Sequence, residues 1–328
     1  MEGRHTRRLV RYWVFLSIAY LLGIGFYFYY GTLHALFSSI SASVGMIGPR
    51  YLMFAIGLYY LTGFVLGIVF LGFDVRARDV REGIVEVLDS RPLTNLELVA
   101  GRFVALFLAA WVPIVILVLL IQALGALLPL LGSPVGRTVE PFSLFNFVVL
   151  MAVPAIAFAI ALVFAITLLV RHRLLAALIA IAAIVAVYWA IFTIPAVYAP
   201  FVDFIGMTQS VMPSDIVPGL LIAGGGLQRL GVLLVALGLL GVAAAIHPRL
   251  DGGRRLRPAA TSLGLVAVGL VGIALTAQER FGAAEQIAHL LPFGQHFLGP
   301  ERRLGIARAA LLRVLLGVAP FGFELRVG

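Results

Sequence analysis

The sequence predicts an all-α protein, a polytopic transmembrane helical bundle with six core spans, a seventh span and a short extracytoplasmic or interfacial tail. Three observations predict it. Of 328 residues, 62% are hydrophobic and 12% charged, and none is cysteine. A soluble domain is nearer half apolar and a quarter charged. With a mean hydropathy of +1.08, the natural solvent for this surface is lipid. Apolar runs long enough to cross a bilayer recur along the chain, and its arginines gather in alternate connections.

The runs cover residues 10–30, 52–73, 103–124, 144–170, 174–196, 230–245 and 259–277, the last two being the shortest. At ~1.5 Å per residue, about 20 residues cross a ~30 Å hydrocarbon core. A backbone in lipid must satisfy its own polar groups, so runs of this length span as helices. The first follows Arg4, Arg7, Arg8 and Arg11, like a signal peptide. It is longer than a signal's apolar region, though, and Tyr27-Phe28-Tyr29-Tyr30 makes a poor cleavage site, so it reads as a retained span.

All 24 basic residues are arginine. With the N-terminus in the cytoplasm, inner segments hold fifteen of the first eighteen, at the start and in 74–102, 171–173 and 249–258. The outer loops hold Arg50, Arg137 and Arg229. This is the positive-inside pattern, which assigns the net charge of +9 to orientation rather than to nucleic acid. Residues 1–250 therefore form a six-span domain with a charged elbow at 74–102, and 251–277 add a span. Residues 278–328 form a tail, either an interfacial helix or a truncated domain. Within the tail, Arg308 and Arg313 disfavour a lipid-facing helix over 304–323. The outer loop at 197–228 carries Pro200, Pro213, Pro218 and a triple glycine. Its Ser214-to-Gly224 stretch reads as a short re-entrant or interfacial helix, with a plain loop as the alternative.

Catalytic signatures do not assemble. A P-loop needs a lysine for the phosphates, and the chain has none. No GxSxG or HExxH pattern occurs. No Asp, Glu or Lys lies in the core of the seven runs, which weakens a secondary-transporter reading. Ser17, Thr62, Gln122, Asn146 and Thr167 read as interhelical hydrogen-bonding groups, with a pore lining as the rival. Glu285 and His289 would share a helix face but supply only two ligands, so no metal site is expected.

The informative segment is 74–102, DVRARDVREGIVEVLDSRPLTNLELVAGR. Val80, Ile84, Val87 and Leu88 share one helical face, with Arg78, Glu82, Glu86 and Asp89 on the others. Arg91-Pro92 breaks that helix, because the residue before proline avoids helical geometry. Thr94-Asn95-Leu96-Glu97 fits a capping box, so a second helix starts there and runs into the third span. Helix, break and capped helix together form a rigid elbow at the membrane surface.

This segment resembles the signature of ATP-binding-cassette (ABC) exporter permeases of the type 2 superfamily. The matching positions are Arg81, Glu82-Gly83, Glu86, Leu88, Pro92-Leu93, Thr94, Glu97 and Gly101, with Ile84 where Thr is common and Arg102 where Lys is common. The resemblance implies a permease subunit without enzymatic activity, in the cytoplasmic (inner) membrane of a prokaryote. It would pair with a second copy or a homologue and dock on a separate P-loop ATPase subunit, which binds ATP and Mg. The coupling residues it implies are Arg81, Glu82, Gly83, Glu86, Leu88, Pro92, Leu93, Thr94, Glu97, Gly101 and Arg102, with 171–173 as a second contact. No cofactor in this chain and no nucleic-acid partner are expected; membrane lipid is. The competing classes are a membrane-embedded enzyme, a channel or secondary transporter, and a scaffold independent of any ATPase.

Overall fold

The computed structural model describes residues 10–40, 49–73, 94–133, 135, 138, 141–170, 172–194, 198–208, 224–247 and 256–290. The first part of the elbow (74–93), the stretch at 214–223 and the tail beyond 290 lie outside the described residues.

Each of the seven apolar runs forms a helix. They are α1 (Val10–Ile40), α2 (Pro49–Gly72), α3 (Asn95–Leu130), a fourth span made of α4 (Pro141–Phe145), a π turn (Asn146–Met151) and α5 (Ala152–Leu169), then α6 (Arg173–Thr193). A short turn, α7 (Ala199–Val202), precedes α8 (Gly225–Ile246) and α9 (Leu256–Leu290). Six of the seven spans are long and apolar enough to cross a membrane over their described residues; of α2, Leu61–Gly72 forms a shorter apolar segment. The protein is a multi-pass membrane protein built as a helical bundle.

The span α5 is the central post. Its sequence is almost wholly Ala, Ile, Leu, Val and Phe, and Ala152, Ile156, Ile160 and Val163 are fully enclosed. Small and β-branched side chains let α2, α3, α6 and α8 pack around it. Large apolar side chains point outward from the peripheral helices instead, among them Trp13 and Leu21 on α1, Leu178 and Trp189 on α6, and Leu263 and Val271 on α9. That is the surface lipid requires.

Two proline-bearing regions show how the bundle keeps its backbone satisfied. Pro113 sits inside α3 and lacks the N–H that would bond the Ala109 carbonyl. The Tyr12 hydroxyl on α1 donates to that carbonyl at 3.1 Å, and the Tyr20 hydroxyl donates to the Pro113 carbonyl at 2.8 Å. In the fourth span the π turn ends three residues before Pro154, and the Trp111 indole N–H donates to the Val148 carbonyl within it at 3.0 Å. Thr62 and Tyr188 share an interhelical hydrogen bond, as expected of Thr62, whereas Thr167 bonds back to Phe164 of its own helix.

The seventh span is strapped to the sixth. A Cβ on Gly231 would lie 2.7 Å from the Gly269 carbonyl oxygen, and one on Gly238 would lie 2.7 Å from that of Ser262. Gly231 and Gly238 are seven apart, as are Ser262 and Gly269. Two facing small-residue stripes thus bring the backbones of α8 and α9 into contact.

Candidate functional site: a capped span end and a buried polar cluster

The expected coupling residues divide by position. Arg81, Glu82, Gly83, Glu86, Leu88, Pro92 and Leu93 lie outside the described residues. Thr94, Glu97, Gly101 and Arg102 are described, all at the start of α3. The capping box is formed. The Glu97 backbone N–H donates to the Thr94 hydroxyl at 3.2 Å, and the Thr94 N–H donates to the Glu97 carboxylate at 2.7 Å. The Thr94 hydroxyl also donates to the carboxylate, at 3.0 Å, and the two bonds the carboxylate accepts favour the ionised acid. The Thr94 backbone N–H, and after it the Thr94 hydroxyl, hold the Glu97 carboxyl below the usual carboxylate range.

At 36 residues, α3 is about 54 Å long, well beyond the ~30 Å hydrocarbon. Its first two turns therefore stand clear of the apolar run at 103–124. Thr94, Glu97 and Gly101 are exposed there, and a Cβ on Gly101 would meet open space. Arg102 differs. It is only 8% exposed and so faces the bundle rather than the outside. Beside it, the Asn95 side-chain amide donates to the His247 carbonyl at 3.3 Å, tying the start of α3 to the end of α8. In the 171–173 connection, His172 is exposed and caps α6, its Nδ1 accepting from the Leu175 N–H at 3.4 Å.

A second site lies at the opposite end, in the connection read from sequence as an outer loop. Residues 198–208 are folded into the bundle. Asp203 is fully buried. Its Oδ1 accepts from the Gly206 and Met207 N–H groups at 2.7 and 2.9 Å. Its Oδ2 accepts from the N–H and the hydroxyl of Thr208, both at 2.6 Å. Gly206 makes this turn possible with φ of +101°, a conformation that other residues rarely adopt.

The first turns of α8 close the site. The Gln228 amide donates to the carbonyls of Pro200 and Asp203 at 2.8 and 3.0 Å. Arg229 is 1% exposed and spreads its guanidinium over three acceptors. Nε donates to Gln228 Oε1 at 2.8 Å, Nη1 to the Phe204 carbonyl at 3.1 Å and Nη2 to the Asp203 carbonyl. The Phe204 ring stacks on Phe158 of α5, with centroids 3.7 Å apart.

This corrects the reading of Arg229 as an outer-loop charge. The helix begins at Gly225, and the guanidinium is buried among the carbonyls that the α7 turn leaves open. A sequence signal existed for the turn, since Asp203 precedes Gly206 and Thr208 at spacings suited to a side chain binding nearby backbone N–H groups. Nothing in the sequence paired that turn with Gln228 and Arg229.

Chemically the cluster saturates polar groups. Arginine stays protonated in proteins, so it cannot relay protons. Its donors occupy the carbonyl oxygens that could otherwise face a metal cation. Among the described residues, no three His, Cys, Asp or Glu side chains converge as a metal site. No known protein family, curated protein or solved structure matches the chain.

Proposed function

We propose that this chain is the transmembrane permease subunit of an ABC exporter, in the cytoplasmic membrane of a prokaryote, driven by a separate P-loop ATPase. A second copy or a homologue completes the membrane unit. The observation that carries this reading is the capped start of α3. An exposed, hydrogen-bonded first turn at Thr94–Glu97 is continuous with a span that reaches the far side of the bundle. A push on that turn therefore moves α3 as a rod, and through Asn95 and His247 it moves the end of α8 as well. Arg102, facing inward, fits a role in seating the rod, while Thr94, Glu97 and Gly101 offer the exposed face. The resemblance of 81–102 to the type 2 permease signature supplies the kind of partner, and the absence of lysine leaves no P-loop in the chain itself.

The alternative is an ATPase-independent scaffold, channel or secondary transporter. The observation favouring a transporter is the charged cluster at Asp203 and Arg229. It is weakened by the engagement of both groups with fixed protein partners.

Co-purification tests the reading. The chain alone should hydrolyse no ATP, and a separate ATPase should co-purify with it from its native membrane. Reversing charge at Glu82 and Glu86 together should release that ATPase while the spans remain inserted. Retention of the ATPase by the doubly reversed protein at physiological salt would move the docking site elsewhere. If no ATPase co-purifies, the exporter reading fails and the alternative stands.

A further inference from the structure

We propose that residues 198–208 form a latch: a self-contained segment sunk into the end of the bundle opposite the Thr94 cap, held there by Arg229 and Gln228, whose release admits water to the bundle interior.

The depth of the segment follows from helix geometry. His247, just after α8, lies against Asn95 at the capped end. Arg229 is seventeen residues before Ile246, so it stands about 26 Å from that end at ~1.5 Å per residue. Phe204 reaches deeper still, onto Phe158, eleven residues or about 17 Å from the end of α5.

Two features make this a movable unit rather than one more strand of core. First, the segment satisfies its own turn. All four donors on the Asp203 carboxylate come from residues 206–208 and travel with it. Second, three of its carbonyls, those of Pro200, Asp203 and Phe204, tie to two adjacent side chains of one helix, Gln228 and Arg229. Opening exchanges those ties for water at both partners. A buried guanidinium and carboxylate regain hydration when exposed, which offsets much of the lost hydrogen bonding. A wholly apolar plug would have no such compensation. Between the two states Arg229 works as a tethered cation on the carbonyls of Asp203 and Phe204, and charge never leaves the chain.

The test uses the full-length protein in lipid nanodiscs, where the native sequence contributes no thiol. Met151 is buried and its Cε lies 3.4 Å from where a Gly206 Cβ would stand, so Met151→Cys reports departure of the segment. Arg229→Lys keeps the charge but replaces the planar fork with a point donor that cannot span three acceptors. Labelling of Met151→Cys by a charged maleimide should quicken about tenfold in the Arg229→Lys background, the effect of losing one charge-assisted hydrogen bond. Gly206→Ala, whose methyl would stand 2.9 Å from Arg229 Nη1, should act in the same direction. Unchanged labelling in both backgrounds overturns the latch. Peroxide oxidation of the unsubstituted protein decides independently of whether either variant folds. Met151, buried against Gly206, should be oxidised while amides in the middle of α8 remain unexchanged. Oxidation of Met151 only as the α8 amides exchange would make the segment a static part of the core and sink the proposal.

Discussion

A guanidinium survives inside an apolar bundle only if its N–H groups find acceptors, because burying an unpaired charge costs far more than a hydrogen bond returns. Arg229 meets that condition by meeting carbonyls that a helical continuation of α7 would have used internally. Thr94 meets a smaller need of the same kind, supplying an acceptor to a first-turn N–H of α3 that has no partner within the helix. Replacing Thr94 by Ala should weaken that turn by about 1 kcal/mol, read as faster amide exchange at Glu97 and Leu98 with the middle of α3 unchanged. The Glu97 half of the box is also a pH probe. Its folded carboxyl titrates below the unfolded one, so its contribution is full above the ordinary carboxylate range and is lost as pH falls through the lowered value. Corrected for intrinsic rates, first-turn exchange should therefore accelerate in acid. Glu97→Ala should remove that dependence, and a dependence that persists in Glu97→Ala would assign it to another group.

Among the elements, α3 is where breaks in helical hydrogen bonding are repaired from outside the helix. Pro113 removes one bond, and α1 answers with two tyrosine hydroxyls eight residues apart on one face. Tyr12→Phe should destabilise the protein by about 1–3 kcal/mol, because it strands a buried carbonyl next to a proline. The informative variant is the double one. With Pro113→Ala the helix regains its own N–H, the Ala109 carbonyl no longer needs Tyr12, and the cost of Tyr12→Phe should fall sharply. Unfolding of the four proteins of this cycle in mixed micelles measures the coupling. Strict additivity would mean the Tyr12 bond does not compensate the proline. The pair α8 and α9 answers a different problem. Lipid offers no hydrophobic drive between helices, so their contact relies on backbone approach at Gly231, Gly238 and Gly269.

Across the whole molecule, the spans run alternately between two ends, and the Asn95–His247 hydrogen bond shows that the start of the third span and the end of the sixth share one of them. The arginine distribution then predicts which side of the membrane that end faces. Discounting the buried Arg229 outside and Arg102 inside leaves fourteen inner arginines against Arg137 and Arg50, the latter in the first turn of α2, so the inward bias is stronger than the raw loop count. A single cysteine at Ser90 should therefore react with an impermeant reagent only after the membrane is opened, and one at Ser133 should react in intact cells. Labelling of Ser90 from outside would invert the topology.

Helices α1, α3 and α9, at 31, 36 and 35 residues, run well past the apolar runs read at 10–30, 103–124 and 259–277, and α9 continues through the first residues expected as tail. Helix positions, the capped start of α3 and the arginine asymmetry were all legible in the sequence. Each depends on local terms: runs of apolar side chains measured against bilayer thickness, and a Thr–Glu spacing that closes a hydrogen-bonded ring three residues wide. The burial of Arg102, the clamp on Pro113 and the Asp203–Gln228–Arg229 cluster were not legible. The last two join groups far apart in the chain, 25 residues from Asp203 to Gln228 and 97 from Tyr12 to Ala109. Composition marks Arg229 as a charge beside an apolar run, which by itself suits a membrane-surface loop. Only the tertiary structure decided that it lies inside, because three acceptors from two other residues of the folded turn and from its own neighbour had to reach its N–H groups before burial became tolerable.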